Sequence, residues 1–562
     1  MKLSLPKLSL IAMLAACRGD STSGAIENNT SSGNTNAHTP VADASSSGLV
    51  ADASSATPEP NNTAQLVEPE PLPDVPARET PDAEFRRAAP AAGRPGRFVA
   101  PRIQRFQLAN GMRVYLVEQH QLPIVVAQYV TRRGGDDVPV EQAGIAHMTA
   151  SLLEQGTASL GAEQLSDAFA AIGAQHATAM EWDSGGAYVK VLAPQFGRAV
   201  ELLADVIQHP AFANDEIERW RARRLADIRA ERDSPRVVAG MVMARAVYGD
   251  AHPYSRPLTG VESSVRAITR DQVIQFYRSH FVPQDSALVI AGDITLAQLR
   301  PMIERSFGQW RQEAPATPLA ATRPAVPAAP AGPTRVWVVD RPRAPQSMVY
   351  FASEGVARNN ADFERIQVGN AILGEVFSSR INLNLREAHA YTYGARSRFA
   401  FRRGAGPFTA GGAMITRHTA AAATEILNEV RRIRESDVTA DELTTARTAI
   451  VEGFRAQFAT AEGTADAVSD LFVYDLPDSF VASYPRNVER VNARDVRRVL
   501  TERLDPAKLH LVVVGDRAAV SDGLDALRRG PIEVRDHEGA AVSATASETT
   551  QRTNAASADA GR

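Results

Sequence analysis

Histidines and carboxylates at helical spacing are the natural first places to look for chemistry, and this chain has only 11 histidines in 562 residues. His147 stands in the segment GIAHMTASLLEQGT (Gly144 to Thr157), and Glu154 shares its helix face seven residues later. At about 1.5 Å of rise per residue the two lie roughly 10 Å apart along the axis, too far to chelate one ion. His176 lies in a segment with a moderate strand signal and could approach from a neighbouring strand. The one cysteine, Cys17, excludes an intrachain disulfide framework and a thiolate zinc cage. Cys17 closes a short apolar run, Leu8 to Ala16, that follows Lys2 and Lys7, which is the layout of a secretory signal peptide.

The elements that position these residues follow from composition. A length of 562 residues exceeds one ordinary domain. A net charge of -4 leaves no basic footprint, so nucleic acid is not an expected partner. Residues 18–97 are rich in Ser, Thr, Asn, Ala, Pro and Glu, with no aromatic residue before Phe85, and are expected to be a disordered tether. A duplication follows. Val265 to Asp293 aligns without a gap on Val488 to Asp516, both ends offset by 223 (488 − 265 and 516 − 293). In each copy a capping residue, Thr269 or Asn492, opens a helix. Pro283 or Pro506 breaks the chain, and an apolar run, Leu288 to Ala291 or Leu511 to Val514, reads as a buried strand. Two homologous domains are thus expected, 98–314 and 334–530, joined by a Pro/Ala-rich linker at 315–333 and followed by a disordered tail at 531–562. Strand-like runs at Met112 to Glu118, Ile124 to Thr131 and Arg335 to Val339 alternate with helical patterns. The fold class is α+β, each domain an antiparallel-rich sheet with helices packed on one face.

Gly144 to Thr157 resembles the signature of the pitrilysin/insulinase family of zinc peptidases, a glycine-rich lead-in followed by HxxEH on a helix and then Gly-Thr. Flanking text such as LANGMRVYLVEQHQLPIVVAQ and HPYSRPLTG agrees, and the resemblance spans nearly all of 101–530. In that motif two histidines four apart reach one zinc ion, and the glutamate polarises its water. Here His147 keeps the first histidine, while Ala150 stands at the base and Ser151 at the second histidine. Asp227, in DIRAERDSP, matches the downstream glutamate ligand with a side chain one methylene shorter. His176 matches a position near substrate, and the segment from Gln175 to Val191 matches the sheet edge to which substrate adds a strand. Ile372 to Ser397 resembles the segment carrying the family's substrate-contacting arginine and tyrosine. Arg386 matches the arginine, and Tyr393 or Tyr391 the tyrosine. If 391–396 is a strand, both tyrosines point to one face. Ala390 replaces a common glycine.

The resemblance implies a non-catalytic subunit that binds unfolded peptide and pairs, as half of a clamshell, with an HxxEH-bearing subunit of the same family. No zinc is then expected in this chain, and zinc is expected in the partner. The alternatives are a structural or assembly protein with a processing-peptidase-like fold, and an active zinc metalloendopeptidase with a divergent site. Leu14-Ala15-Ala16-Cys17 resembles the bacterial lipobox, which makes Cys17 an acylated N-terminus after cleavage. A plain signal peptide is the other reading. Arg18 rather than aspartate then favours the periplasmic face of the outer membrane of a Gram-negative bacterium, with membrane contact through the lipid anchor only.

Overall fold

The computed structural model describes residues 98–312 and 326–542, all within one compact unit. Cys17, the tether at 18–97, most of the linker and the chain beyond 542 lie outside the described residues. Among the described residues no helix is long and apolar enough to cross a membrane.

The first lobe carries β1 (Gln104–Gln107), β2 (Arg113–Glu118), β3 (Ile124–Thr131), α1 (Ile145–Leu153), α2 (Ala162–Ala171), β4 (Gln175–Met180) and β5 (Gly185–Leu192). It continues with α3 (Phe196–Gln208), α4 (Asn214–Glu231), α5 (Pro235–Tyr248), α6 (Glu262–Ala267), α7 (Arg270–His280), β6 (Ser286–Gly292) and α8 (Leu296–Phe307). The second lobe begins with β7 (Val336–Asp340), β8 (Gln346–Glu354) and α9 (Phe363–Asn370). Two π-helical turns follow, Ala371–Glu375 and Leu383–Ala388, then β9 (Ala395–Phe399) and β10 (Pro407–Ile415). It closes with α10 (Thr419–Glu435), α11 (Ala440–Gln457), α12 (Ala461–Val473), α13 (Phe480–Arg490), α14 (Ala493–Arg503), β11 (His510–Gly515), α15 (Arg517–Ala526) and β12 (Ile532–Arg535).

The two six-stranded sheets run β1-β2-β6-β3-β5-β4 and β12-β7-β11-β8-β10-β9, one order repeated. The repeated segment holds α7 and β6 in one copy and α14 and β11 in the other. Thr269 Oγ1 and Asn492 Oδ1 cap their helices, accepting from Gln272 N and Asp495 N. Such caps satisfy main-chain donors that a helix start leaves open, so they fix the boundary locally.

The inner strands β6 and β11 are apolar and buried from Ala287 and Leu511 onward, as strands covered on both faces require. On one face lies each lobe's own helix layer. The other face is covered by a helix from the opposite lobe. From α12, Ala465, Val468 and Phe472 pack on Tyr115, Val126 and Val289 of the first sheet. From α5, Val238, Val242 and Ala246 pack on Trp337, Met348 and Val512 of the second. Helices on one face thus describe each domain's own chain, and the exchanged helix completes a three-layer arrangement.

The expected tail from 531 needs correction at its start. β12 pairs in parallel with β7, and the chain then turns back through a bridge between Arg535 and Ala541. Four residues of alternating Ile, Glu, Val and Arg carry too little periodicity to stand out from a polar terminus, and only the vacant sheet edge makes them a strand. β1 takes the matching place in the first sheet, but antiparallel to β2 and from the opposite end of its lobe.

Candidate functional site

His147 is the third residue of α1, whose N-cap Gly144 has a φ of 99° that only glycine adopts without strain. The helix buries Ile145, Met148, Thr149 and Leu152 in the first core, which leaves His147 turned toward α4. Its ring lies 5.8 Å from that of Trp220, and its Nδ1 is buried without a hydrogen-bond partner. Burial lowers its pKa to about 4, an effect that Arg224 strengthens and Glu231 opposes. Trp220, Arg224, Asp227 and Glu231 recur at helical spacing and form one stripe of α4. Arg224 is buried, and its two terminal nitrogens donate to Glu231 at 2.6 and 2.9 Å. Its Nε and NH2 also donate to Thr259 O and Oγ1 at 3.1 and 2.9 Å. Asp227 is exposed.

Ala150 is 2% exposed, and its carbonyl accepts from Thr178 Oγ1 at 2.6 Å. The Ser151 hydroxyl turns back to donate to His147 O at 2.9 Å. His176 sits on β4, stacked 4.0 Å from Phe169, with Nδ1 3.1 Å from Glu154 Oε1. Glu154, too far along the helix axis to cooperate with His147, is therefore engaged with His176. Among the described residues no three His, Cys, Asp or Glu side chains are grouped to hold a metal ion. One imidazole, a methyl group, an engaged hydroxyl and a guanidinium in the neighbourhood do not fit zinc, which takes three protein donors.

The second constellation faces outward. Arg386 lies on the π-helical turn Leu383–Ala388, with Nε 3.2 Å from Glu387 Oε1. Its guanidinium carbon stands 4.8 Å from the Phe377 ring and 5.0 Å from the Tyr393 ring. The expectation that Tyr391 and Tyr393 share a strand face is overturned, because β9 starts at Ala395 and both tyrosines precede it. Tyr391 is half-buried between His389 and His418, at ring distances of 4.9 and 4.6 Å, whereas Tyr393 is 89% exposed. Ala390, just before them, has a φ of 51°, and residues 391–394 are irregular with a bend at Tyr393, so the period of two does not apply. Tyr393 therefore accompanies Arg386, and Tyr391 packs apart from it.

The sheet edges differ as well. Among the described residues, the main chain of β4 hydrogen-bonds only to β5, so its outer side is open. On β9 the outer side is closed, since Ala395 N donates to Asn382 Oδ1 at 3.3 Å and Ser397 O accepts from Asn370 Nδ2 at 3.3 Å. Sequence reasoning missed Arg224, Phe377 and these two asparagines. Arg224 recurs four residues after Trp220 and seven before Glu231, a pattern that could have marked the stripe facing His147. No local signal distinguishes the others.

Comparison with known proteins bears on the same regions. The family description Insulinase (Peptidase family M16) matches residues 132–260, and Peptidase M16 inactive domain matches 267–450. An uncharacterized zinc protease of Mycobacterium leprae is 28% identical over 302 residues, which cover 52% of this chain and 65% of that protein. Another, of Bacillus subtilis, is 22% identical over 295 residues, or 52% of this chain and 69% of that one. The fold is shared with a crystal structure of a peptidase M16 inactive domain from Pseudomonas fluorescens, at TM-score 0.68 and 20% identity. That likeness covers 74% of this chain and 98% of the other. It is also shared with a protease from Helicobacter pylori, at TM-score 0.67 and 18% identity, over 74% and 100% of the two chains.

Proposed function

The chain belongs to the insulinase (M16) peptidase family as a member of its inactive type, and from that premise we propose that it is a non-catalytic subunit. In this reading it binds unfolded peptide and pairs with an HxxEH-bearing zinc subunit of the same family. The observation that carries it is an asymmetry. The metal positions around His147 are replaced and walled by the Arg224–Glu231 pair, while Arg386 and Tyr393 remain turned to solvent. A subunit that binds without cutting needs the second set and not the first.

The chemistry of the retained groups suits a peptide main chain. Arginine presents a rigid fork of donors and tyrosine a directional hydroxyl, both matched to carbonyl oxygens. The open edge of β4 supports the same reading, since strand addition uses main-chain groups and is indifferent to loss of a metal. Zinc and the water it activates belong, on this reading, to the partner, and this chain holds none. Cys17 is the attachment point for a lipid anchor at the periplasmic face of an outer membrane. The test is recovery of the tagged full-length chain from its native membrane, with metal and peptidase assays on what comes with it. The expected result is a complex with chelator-sensitive activity, which Arg386→Ala slows by about a hundredfold, the scale of a misplaced scissile bond, without dissociating it. Unchanged kinetics in a verified complex would leave a structural role ahead. One zinc per purified chain with cleavage by that chain alone would overturn the reading.

A further inference from the structure

We propose that Arg402, at the junction of the two lobes, is the receptor for a small monovalent carboxylate, held end-on by its two terminal nitrogens between Trp182 and Tyr254. The inference is independent of the peptide-binding reading above.

Its first support is a buried cation with nothing opposite it. Arg402 lies in the β9–β10 loop and is 9% exposed. Among the described residues its guanidinium makes no hydrogen bond and no ion pair, and its Nε is sealed from solvent without a partner. The two terminal nitrogens are not sealed, so their N–H groups are the donors a ligand reaches. Arg403, the next residue, donates to three carbonyls, so the contrast lies in the site and not in the residue type. Burial withdraws water from the Arg402 charge, and ring contacts offset that cost only in part. An anion at the open end of the fork offsets the rest.

The second support is that the donors are held in place. The guanidinium carbon stands 4.5 Å from the Trp182 ring and 4.5 Å from the Tyr254 ring, and the two rings meet edge to face at 5.0 Å. The first lobe thus supplies the walls and the second lobe the cation. The loop that carries Arg402 is pinned along its main chain. Arg402 O accepts from Arg358 N at 2.7 Å, Ala405 O from the Tyr248 hydroxyl at 2.8 Å, and Gly406 O from Gly355 N at 2.8 Å. A guanidinium clamped between rings on a fixed loop loses little freedom when a ligand arrives.

The surroundings select the class of anion. Asp136 and Asp183 lie close enough to Tyr254, and Glu354 to Tyr248, for their charges to be felt there, yet all three stand beyond ion-pairing distance of Arg402. Asp183 accepts from Arg403 N and the Tyr474 hydroxyl at 2.9 and 3.1 Å, and Glu354 accepts from Ala329 N at 2.8 Å. Fixed negative charges in the neighbourhood oppose a divalent anion such as phosphate. Coplanar N–H donors on two nitrogens match the two oxygens of one carboxylate better than they match a spherical halide. The low exposure of Arg402 restricts the ligand to a small one.

The experiment uses the full-length chain at constant ionic strength, with sodium acetate replacing sodium chloride. Binding is read by tryptophan fluorescence and by thermal unfolding followed by circular dichroism. A saturable fluorescence change is expected, because Trp182 is one of only 4 tryptophans and lies against the cation. The unfolding midpoint should rise by about 1–2 °C at about ten times the half-saturating acetate concentration. Arg402→Gln should remove both responses, and Arg402→Lys, which keeps the charge without the fork, should raise the half-saturating concentration about tenfold. Trp182→Phe should keep the thermal response and lose the fluorescence change. No response in the wild-type chain overturns the proposal, and that arm needs no variant to fold. A linear, unsaturable dependence is a bulk salt effect and overturns it too, as does the same saturable response in Arg402→Gln. The same midpoint rise with sodium bromide in place of acetate overturns the carboxylate as the ligand class.

Discussion

At the scale of single residues, His147 shows how a retained motif residue changes its meaning with its neighbours. Beside a second histidine it is half of a metal site. Beside Trp220 and Arg224 it is a neutral imidazole in a partly apolar wall, its pKa lowered by burial to about 4. An ordinary histidine titrates near about 6.5, so below that pH the unfolded chain takes up a proton that the native chain refuses. The stability His147 contributes is thus complete above about pH 6.5 and is lost as pH falls toward 4. His510, lowered to about 4 by burial near Arg335 and Arg529, acts in the same sense. His147→Phe keeps a ring against Trp220 and removes one of these protons. The variant should gain about 1–2 kcal/mol over the wild type at pH 5, relative to pH 7.5. Urea unfolding at the two pH values measures it, and a variant whose pH slope matches the wild type's refutes the assignment.

At the scale of elements, the seating of α12 on the first sheet is secured by polar side chains as well as apolar ones. Gln128 of β3 donates to Asp466 at 2.6 Å and accepts from Ser469 at 2.7 Å, both on α12. Arg403, in the β9–β10 loop, donates to three carbonyls, Arg132 O at 3.0 Å, Asp183 O at 3.1 Å and Val473 O at 3.1 Å. Its own N–H bonds Asp183 Oδ2 at 2.9 Å, where the Tyr474 hydroxyl also donates at 3.1 Å. One side chain thus joins the first lobe to the end of the helix that covers it. Arg403→Ala removes three hydrogen bonds donated to main-chain carbonyls and should cost about 2–4 kcal/mol in urea unfolding followed by circular dichroism. Arg403→Lys should recover little of it, because an ammonium on a flexible stem cannot span three acceptors set for a planar fork. Because each lobe covers the other's sheet, the loss should move a single transition and not split it in two.

At the scale of the whole molecule, the linker joins the two lobes that carry the proposed binding face. From the linker, Pro327 O lies 2.7 Å from His252 Nε2, and Ala329 N donates to Glu354 at 2.8 Å, so the connection is pinned to both lobes. The cationic and aromatic surface of Arg386, Phe377 and Tyr393 is therefore carried on a joined body, whose N-terminal attachment, on the proposed reading, is Cys17. Acylation is the use that a single thiol between an apolar run and a polar segment suggests. Cys17→Ser should move the protein from the membrane fraction to the soluble fraction with its circular dichroism spectrum unchanged. Retention on the membrane would point to attachment through another protein.

What the sequence determined by itself is what short stretches of chain decide. The duplication at an offset of 223 (488 − 265) gave two sheets of one order, with helix starts at Thr269 and Asn492, because caps and apolar runs act over a few residues. The replaced HxxEH positions at Ala150 and Ser151 were equally legible, since a ligand's absence is a matter of residue type. The tertiary structure alone decided what lies against what. Arg224 meets His147 across 77 residues (224 − 147) because two helices pack on one sheet. Tyr391 and Tyr393 part because residues 391–394 are irregular and the strand begins only at Ala395. The sheets acquire a second covered face because each lobe lends the other a helix, a choice that periodicity along one segment cannot express.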